Sequence, residues 1–132
     1  MRPFHFLPSM KILIVDDSKA MRTFLDYLVK DQLRCDTIQA EDGCHALEVL
    51  QTQRDFDLAL VDWDMPRMNG LEFVKAVRAN PIYAGIKLMM VTTQNSMDRV
   101  AAALQAGASD FLMKPVTKEA LGDKLRVLGV VA

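Results

Sequence analysis

The sequence has few of the residues that cross-link small proteins or bind metals through sulfur. It contains two cysteines in 132 residues, Cys35 and Cys44, and their spacing matches no metal-binding motif. Two small free thiols are typical of a reducing compartment. No apolar run approaches the ~20 residues that a membrane-spanning helix needs. A disulfide-rich scaffold, a zinc-cysteine site and a membrane-spanning protein are therefore not expected.

An excess of charge and the glycine-rich phosphate loops are also missing. The 16 basic and 17 acidic residues leave a net charge of −1, whereas nucleic-acid binding normally shows as a basic excess. Neither G-x-x-x-x-G-K-[ST] nor G-x-G-x-x-G occurs, which argues against nucleotide binding. Residues 1–9, MRPFHFLPS, lack a signal-peptide core and predict a flexible extension. We expect a cytoplasmic protein with one domain at residues 10–132, and neither a nucleic-acid nor a membrane partner.

Short apolar runs alternate with helical patterns along the rest of the chain. Strands are predicted at residues 11–15, 35–40, 57–62, 86–92 and 110–113. Between them, apolar residues recur at helical spacing, and the clearest stripe is Met97, Val100, Ala101 and Leu104. Five strand–helix units without hairpin signals predict an α/β fold, in which helices cover both faces of a parallel sheet.

Polar residues stand where the predicted strands end. Asp16 and Asp17 follow the first strand, Asp62 ends the third, Thr92 ends the fourth and Lys114 follows the fifth. Ligands of open α/β sheets bind outside the carboxyl ends of the strands, so these groups are expected to converge. Acids that lie together repel each other unless a cation joins them, and carboxylate oxygens suit Mg²⁺.

This set of groups predicts a site for a phosphoryl group. Lys114 offers a positive charge, Thr92 offers a hydroxyl, and a carboxylate can act as a nucleophile that forms an aspartyl phosphate. Asp62 is the best candidate nucleophile because its strand should be central. Any one of these residues alone has an ordinary explanation, such as turn formation by Asp. Glu41 and Asp42 follow the second strand and leave the cluster if that strand is outermost.

Four motifs carry a family resemblance: ILIVDDS, VDWDMPRMNGLEF, VTT and AGASDFLMKP. Together they resemble bacterial two-component response regulator receiver domains, in particular the CheY-like, single-domain chemotaxis type. The resemblance covers residues 10 to about 129. It implies a flavodoxin-like, doubly wound five-stranded parallel sheet of order 2-1-3-4-5 with five helices.

The resemblance also implies a function. Such a domain is a phosphoacceptor signalling protein and not an enzyme, apart from self-catalysed phosphotransfer and slow autodephosphorylation. Its phosphodonor would be the phosphohistidine of a sensor histidine kinase. Its output would be the binding of a downstream protein target through the face made by the fourth helix, fifth strand and fifth helix.

The resemblance assigns the acidic residues to acceptor and metal roles. Asp62 corresponds to the phosphoacceptor and contributes to the Mg²⁺ site. Asp17 corresponds to a direct Mg²⁺ ligand, Asp16 acts mainly through water, and Asp64 offers its backbone carbonyl. Trp63, the only tryptophan, adjoins the acceptor and would report on the site.

The remaining roles concern the phosphoryl group and the switch. Thr92 corresponds to the switch hydroxyl and Lys114 to the phosphate-pairing lysine, whose bond to Pro115 is expected to be cis. Phe111 stands at the position of the switch aromatic, although alone it would be an ordinary core residue.

Three residues depart from the family pattern, and all lie near the expected approach to the acceptor. Asp64 stands where chemotaxis regulators often carry Asn, Thr93 is bulkier than usual, and Gln94 replaces a common acid. The lifetime of the phosphorylated state therefore stays open.

Two other functions are compatible with parts of the pattern. The triplet from Asp62 to Asp64 is similar to the Asp-x-Asp signature of haloacid-dehalogenase-like phosphohydrolases. That family carries the signature on its first strand and has Thr or Val at the position where this chain has Pro66. A pseudo-receiver that acts as a phosphorylation-independent adaptor is the second alternative, and the intact acids, Thr92 and Lys114 argue against it.

Overall fold

The computed structural model describes residues 9–93 and 97–130. Residues 1–8, which make up nearly all of the predicted extension, and Gln94 lie outside the described residues. The described residues form five strands, namely β1 Met10–Val15, β2 Cys35–Ala40, β3 Leu58–Asp62, β4 Lys87–Thr92 and β5 Asp110–Met113. They also form five α-helices, namely α1 Lys19–Gln32, α2 Gly43–Thr52, α3 Gly70–Arg78, α4 Met97–Ala106 and α5 Lys118–Val127.

The strands form one parallel sheet in the order β2-β1-β3-β4-β5. This confirms the predicted flavodoxin-like fold class. β3, which carries Asp62, is central, as predicted. β2 is an edge strand, the position that would keep Glu41 and Asp42 out of the cluster. Val15 pairs with Val61, and Asp62 pairs with Val91, so the carboxyl ends of β1, β3 and β4 lie side by side.

The central strands are apolar throughout because both faces of the sheet are covered. In β4, Leu88 and Met90 pack on the face covered by α2, α3 and α4. Met89 and Val91 point to the opposite face, which is covered by α1 and α5. Alternate residues of one strand therefore supply two separate cores, one on each face of the sheet.

Side-chain caps fix where the helices begin at the site edge. The Ser18 hydroxyl accepts a hydrogen bond from the Met21 amide at 3.2 Å, so α1 starts directly after the acidic pair. Asn69 and Glu72 form a reciprocal capping box at the start of α3. These caps leave the polar residues of the strand ends free for other contacts.

The apolar stripe predicted for α4 does not face the sheet as a whole. Met97 is 64% exposed and Leu104 is 43% exposed, whereas Val100 and Ala103 are buried. Helical spacing could not settle the orientation, because α4 carries apolar residues on nearly every side.

Arg78, the last residue of α3, links two loops at the edge opposite the acidic residues, the loop between α3 and β4 and the loop between α4 and β5. Its guanidinium donates to the carbonyl oxygens of Gly107 at 2.9 Å, Tyr83 at 3.2 Å and Ile86 at 2.7 Å. Among residues 9–93 and 97–130, no helix combines the length and hydropathy needed to cross a membrane.

Candidate functional site

Three carboxylates lie together at the carboxyl edge of the sheet. Asp16 and Asp17 follow β1, Asp62 ends β3, and one oxygen from each lies within 4.8 Å of the others. Asp16 is only 1% exposed and Asp62 only 6% exposed, whereas Asp17 faces solvent. The neighbouring positions of β1 and β3 in the sheet create this cluster, which joins residues 45 or more positions apart in the chain.

Lys114 reaches the cluster from the end of β5. Its ammonium nitrogen lies 3.1 Å from Asp62 Oδ1 and 3.9 Å from Asp16 Oδ2. The Lys114 backbone amide donates to the Thr92 carbonyl oxygen at 2.6 Å, and the Lys114–Pro115 bond is cis. The structure therefore brings Lys114 and Thr92 to the same edge as the carboxylates.

Burial makes ionised carboxylates costly at this site. The pKa of Asp62 is raised to about 6, first by burial and then by the charge of Asp16, against the opposing effect of Lys114. Burial also raises the pKa of Asp16, although the Ser18 amide donates to its Oδ1 at 2.8 Å. With a pKa of about 6, Asp62 is mostly ionised at neutral pH, at a buried position beside a second carboxylate.

Two buried polar atoms at the site have no hydrogen-bond partner within the described part of the chain, Asp16 Oδ2 and Thr92 Oγ1. Unpaired buried polar atoms are costly and call for a ligand or water. A water molecule bound to a divalent cation would donate to the Asp16 oxygen, and a phosphoryl oxygen would accept from the Thr92 hydroxyl. The donor set, carboxylate oxygens with one solvent-facing member, fits Mg²⁺.

The Asp64 carboxylate points to a different partner. It forms an ion pair with Arg99 at 2.9 Å, and the Arg99 guanidinium carbon lies 5.1 Å from the centre of the Trp63 ring. The Asp64 side chain is 68% exposed, so this pair should contribute little stability. Sequence reasoning missed Arg99, because an exposed arginine on α4 carries no signal before the fold is known.

Phe111 is half-buried and packs against the core under α2, α3 and α4. It pairs in the sheet with Met90, two residues before Thr92, so the two switch candidates lie on neighbouring strands. On the outer side, the Lys124 ammonium lies 4.5 Å from the centre of the Phe111 ring and 2.8 Å from Asp110 Oδ1. Phe111 thus lies between the core and the surface of β5 and α5.

Asp42 does not join the cluster. It caps α2, is 3% exposed and forms an ion pair with Arg67 in the loop between β3 and α3. The edge position of β2 explains its absence from the cluster.

Gly70 allows the acceptor strand and α3 to approach closely. Its amide donates to the Trp63 carbonyl at 2.9 Å. An added Cβ would meet the Asp62 carbonyl oxygen, and would lie 2.8 Å from Met90 Cε. Because the first obstacle is backbone, we expect Gly70→Ala to lower the free energy of unfolding by about 1–3 kcal/mol.

Urea unfolding would measure this loss. Gly85→Ala is the matched control, because nothing lies within 4 Å of a Cβ added there. A Gly70→Ala protein as stable as Gly85→Ala would contradict the close approach.

Comparisons with known proteins match most of the chain. A family model described as the response regulator receiver domain matches residues 12–126. The chain is 40% identical to a chemotaxis protein CheY homolog of Campylobacter jejuni over 121 residues, 91% of this chain and 93% of that one. It is 38% identical to the chemotaxis protein CheY of Pseudomonas aeruginosa over 116 residues, 88% of this chain and 93% of that one. The solved structure of chemotaxis response regulator CheY4 of Vibrio cholerae matches with a TM-score of 0.83 at 35% identity, covering 92% of this chain and 99% of that chain.

Proposed function

Because the chain belongs to the response regulator receiver domain family, we propose that it is a receiver domain, at residues 10–132, whose phosphoacceptor is Asp62. The observation that carries the proposal is a buried carboxylate at the end of the central strand. Asp62 has two further acids beside it and the Lys114 ammonium 3.1 Å away. A nucleophile, a cation site and a positive charge for the product lie within reach of one phosphoryl group.

In the proposed reaction, an ionised oxygen of Asp62 attacks the phosphorus of a phosphohistidine on a sensor histidine kinase. The phosphorus–nitrogen bond breaks, the imidazole nitrogen keeps the electron pair, and an acyl phosphate forms on Asp62. The pKa of about 6 keeps most of the Asp62 carboxylate ionised at neutral pH. Water later attacks the acyl phosphate slowly, which releases inorganic phosphate and restores the carboxylate.

The other residues of the edge have separate tasks. Asp17, Asp62 and the Asp64 carbonyl would hold Mg²⁺, with Asp16 acting through water, and the cation would neutralise negative charge on the phosphoryl oxygens. Lys114 pairs with the product phosphoryl group, and the Thr92 hydroxyl donates to it. The second contact would give Thr92 Oγ1 the hydrogen-bond partner that it lacks among the described residues.

Phosphorylation would reach the surface through Thr92 and Phe111. Movement of Thr92 toward the phosphoryl group would open space for Phe111 to rotate, because the two residues lie on neighbouring strands. That rotation would bias the face made by α4, β5 and α5 between two states. A downstream protein target would read this face, which already exposes Met97 and Leu104 on α4. The names of the relatives favour a chemotaxis pathway.

The test uses Trp63 fluorescence, since this buried ring adjoins the acceptor. We expect Mg²⁺ to change the signal, and acetyl phosphate or beryllofluoride to add a second change. Asp62→Asn should lose the second change, because an amide is not a nucleophile for phosphorus. Intact-mass analysis after acetyl phosphate should show a phosphoryl adduct on the wild type and none on Asp62→Asn.

Asp64→Asn is the matched control, because it removes a carboxylate and keeps the backbone carbonyl. It should still form the adduct. A wild type that gains no adduct and shows no fluorescence change would refute the proposed function and support the adaptor alternative.

A further inference from the structure

The loop between β3 and α3 contains an unusual turn. The Met68 amide donates to the Pro66 carbonyl oxygen at 2.7 Å, and Arg67 between them has a φ of 65°. A hydrogen bond from one residue to the second before it closes a γ-turn, and the form with positive φ is rare and strained. A positive φ is unfavourable for arginine, so contacts elsewhere must stabilise the turn.

The side chain of Arg67 supplies those contacts. Its Nε donates to Asp42 Oδ2 at 2.8 Å, and its Nη2 donates to Asp42 Oδ1 at 3.0 Å. This fork is the strong, bidentate form of an arginine–carboxylate pair. The Asp42 carboxylate is nearly fully buried and is itself fixed, because its Oδ1 also accepts from the His45 amide at 2.8 Å. An exposed guanidinium is therefore anchored to a rigid point at the start of α2.

A second contact joins the same two segments. The Gly43 amide donates to the Met68 carbonyl oxygen at 3.3 Å. A Cβ on Gly43 would come within 2.7 Å of the Met68 side chain, so the loop packs directly on the first turn of α2. The loop is also closed at its base by the bond from Gly70 to the Trp63 carbonyl. It is thus held at its apex and at its base.

We propose that the Asp42–Arg67 pair is a positioning device that sets the cation affinity of the acidic site without touching the cation. The inference rests on the proposed function, in which Asp62 and the Asp64 carbonyl hold Mg²⁺. Both ligands belong to the segment that the pair anchors, one at its start and one two residues later. Fixing the turn at Arg67 limits the positions open to those ligands before the cation arrives, as outer contacts commonly do at metal sites.

Positioning and long-range electrostatics predict opposite changes in Mg²⁺ affinity when Arg67 is replaced, so one experiment distinguishes them. Arg67→Ala removes a positive charge and leaves the Asp42 carboxylate without its guanidinium. Long-range attraction for a divalent cation would then rise, and binding would tighten. Loss of positioning predicts weaker binding, by about tenfold, the lower end of the range seen for outer contacts at metal sites.

The experiment is a Mg²⁺ titration of the wild type and Arg67→Ala, followed by Trp63 fluorescence and independently by calorimetry. Arg67→Gly is the second variant, because glycine adopts positive φ without strain and should fold even where alanine does not. Both variants should bind Mg²⁺ about tenfold more weakly than the wild type. Adding Asp42→Asn to Arg67→Ala should cause little further loss, because Asn preserves the helix cap and the pair is already broken.

Arg126→Ala is the charge-matched control, since it removes a guanidinium paired with Asp123 on the exposed side of α5. It should leave Mg²⁺ affinity unchanged. Unchanged or tighter binding in both Arg67 variants, with a wild type that binds normally, would overturn this inference and leave the proposed function standing. A wild type that shows no Mg²⁺ binding would overturn both.

Discussion

Asp62→Asn is expected to unfold at a higher urea concentration than the wild type at pH 7.5 in the absence of divalent cations. Replacement of a buried hydrogen-bonded side chain usually destabilises a protein. Here the native carboxylate is a source of instability, because burial and the charge of Asp16 raise its pKa to about 6. Asn keeps the shape and the polarity of the side chain and removes the charge.

The pH dependence of the stability follows from the direction in which the pKa of Asp62 is shifted. An unfolded Asp ionises near pH 4, whereas folded Asp62 ionises near pH 6. The folded state therefore holds this proton more tightly, and the wild type loses stability as the pH rises from about 4 to about 6. Above that window the penalty is constant, at roughly 2–3 kcal/mol for a shift of about two units. Asn also weakens the contact with Lys114, so the net gain of the variant should be about 1–2 kcal/mol.

Urea unfolding at pH 4.5 and 7.5 measures this effect. The advantage of Asp62→Asn should be small at pH 4.5 and full at pH 7.5. Asp64→Asn, at an exposed carboxylate, should change stability by less than about 0.5 kcal/mol at either pH. If Asp62→Asn is no more stable than the wild type at pH 7.5, the carboxylates are not in electrostatic conflict.

Arg78→Ala should lower the free energy of unfolding by about 2–4 kcal/mol. The guanidinium donates to three carbonyl oxygens in two loops, those of Tyr83 and Ile86 before β4 and that of Gly107 before β5. Alanine removes this donor from the Gly107 and Ile86 carbonyl oxygens, whereas the Tyr83 carbonyl oxygen keeps its bond from the Ile86 amide. It also opens space beside Gly107, where an added Cβ would lie 2.6 Å from Arg78 Cγ. Lysine cannot replace the guanidinium, because its single ammonium nitrogen cannot reach all three carbonyl oxygens.

Chemical denaturation of Arg78→Ala, Arg78→Lys and Lys75→Ala would test this. Lys75 is exposed on the same helix, and its alanine variant should change stability by no more than about 0.5 kcal/mol. We expect Arg78→Lys to fall between the other two. Similar midpoints for all three variants would show that the loops do not depend on the guanidinium.

The local pattern of apolar and polar residues in the sequence determined the strands and the location of the site. Residues such as Ile12 to Val15 and Leu58 to Val61 form unbroken apolar runs because both faces of a parallel strand are buried. The polar residues that end these runs had to lie at one edge, because parallel strands share a direction. Asp16, Asp17, Asp62, Thr92 and Lys114 were all found in this way, and the structure places them at that edge.

Only the tertiary structure decided which contacts form between segments that are distant in the chain. The orientation of α4, the pair of Asp42 with Arg67 and the contact of Arg78 with two loops depend on which surfaces the fold brings together. The raised pKa of Asp62 has the same origin, since it comes from burial and from a second acid 46 residues away. The sequence by itself determined which residues end each strand, because hydrophobic periodicity is local. The energies of the site depend on distances across the sheet, and those are set only when the chain is folded.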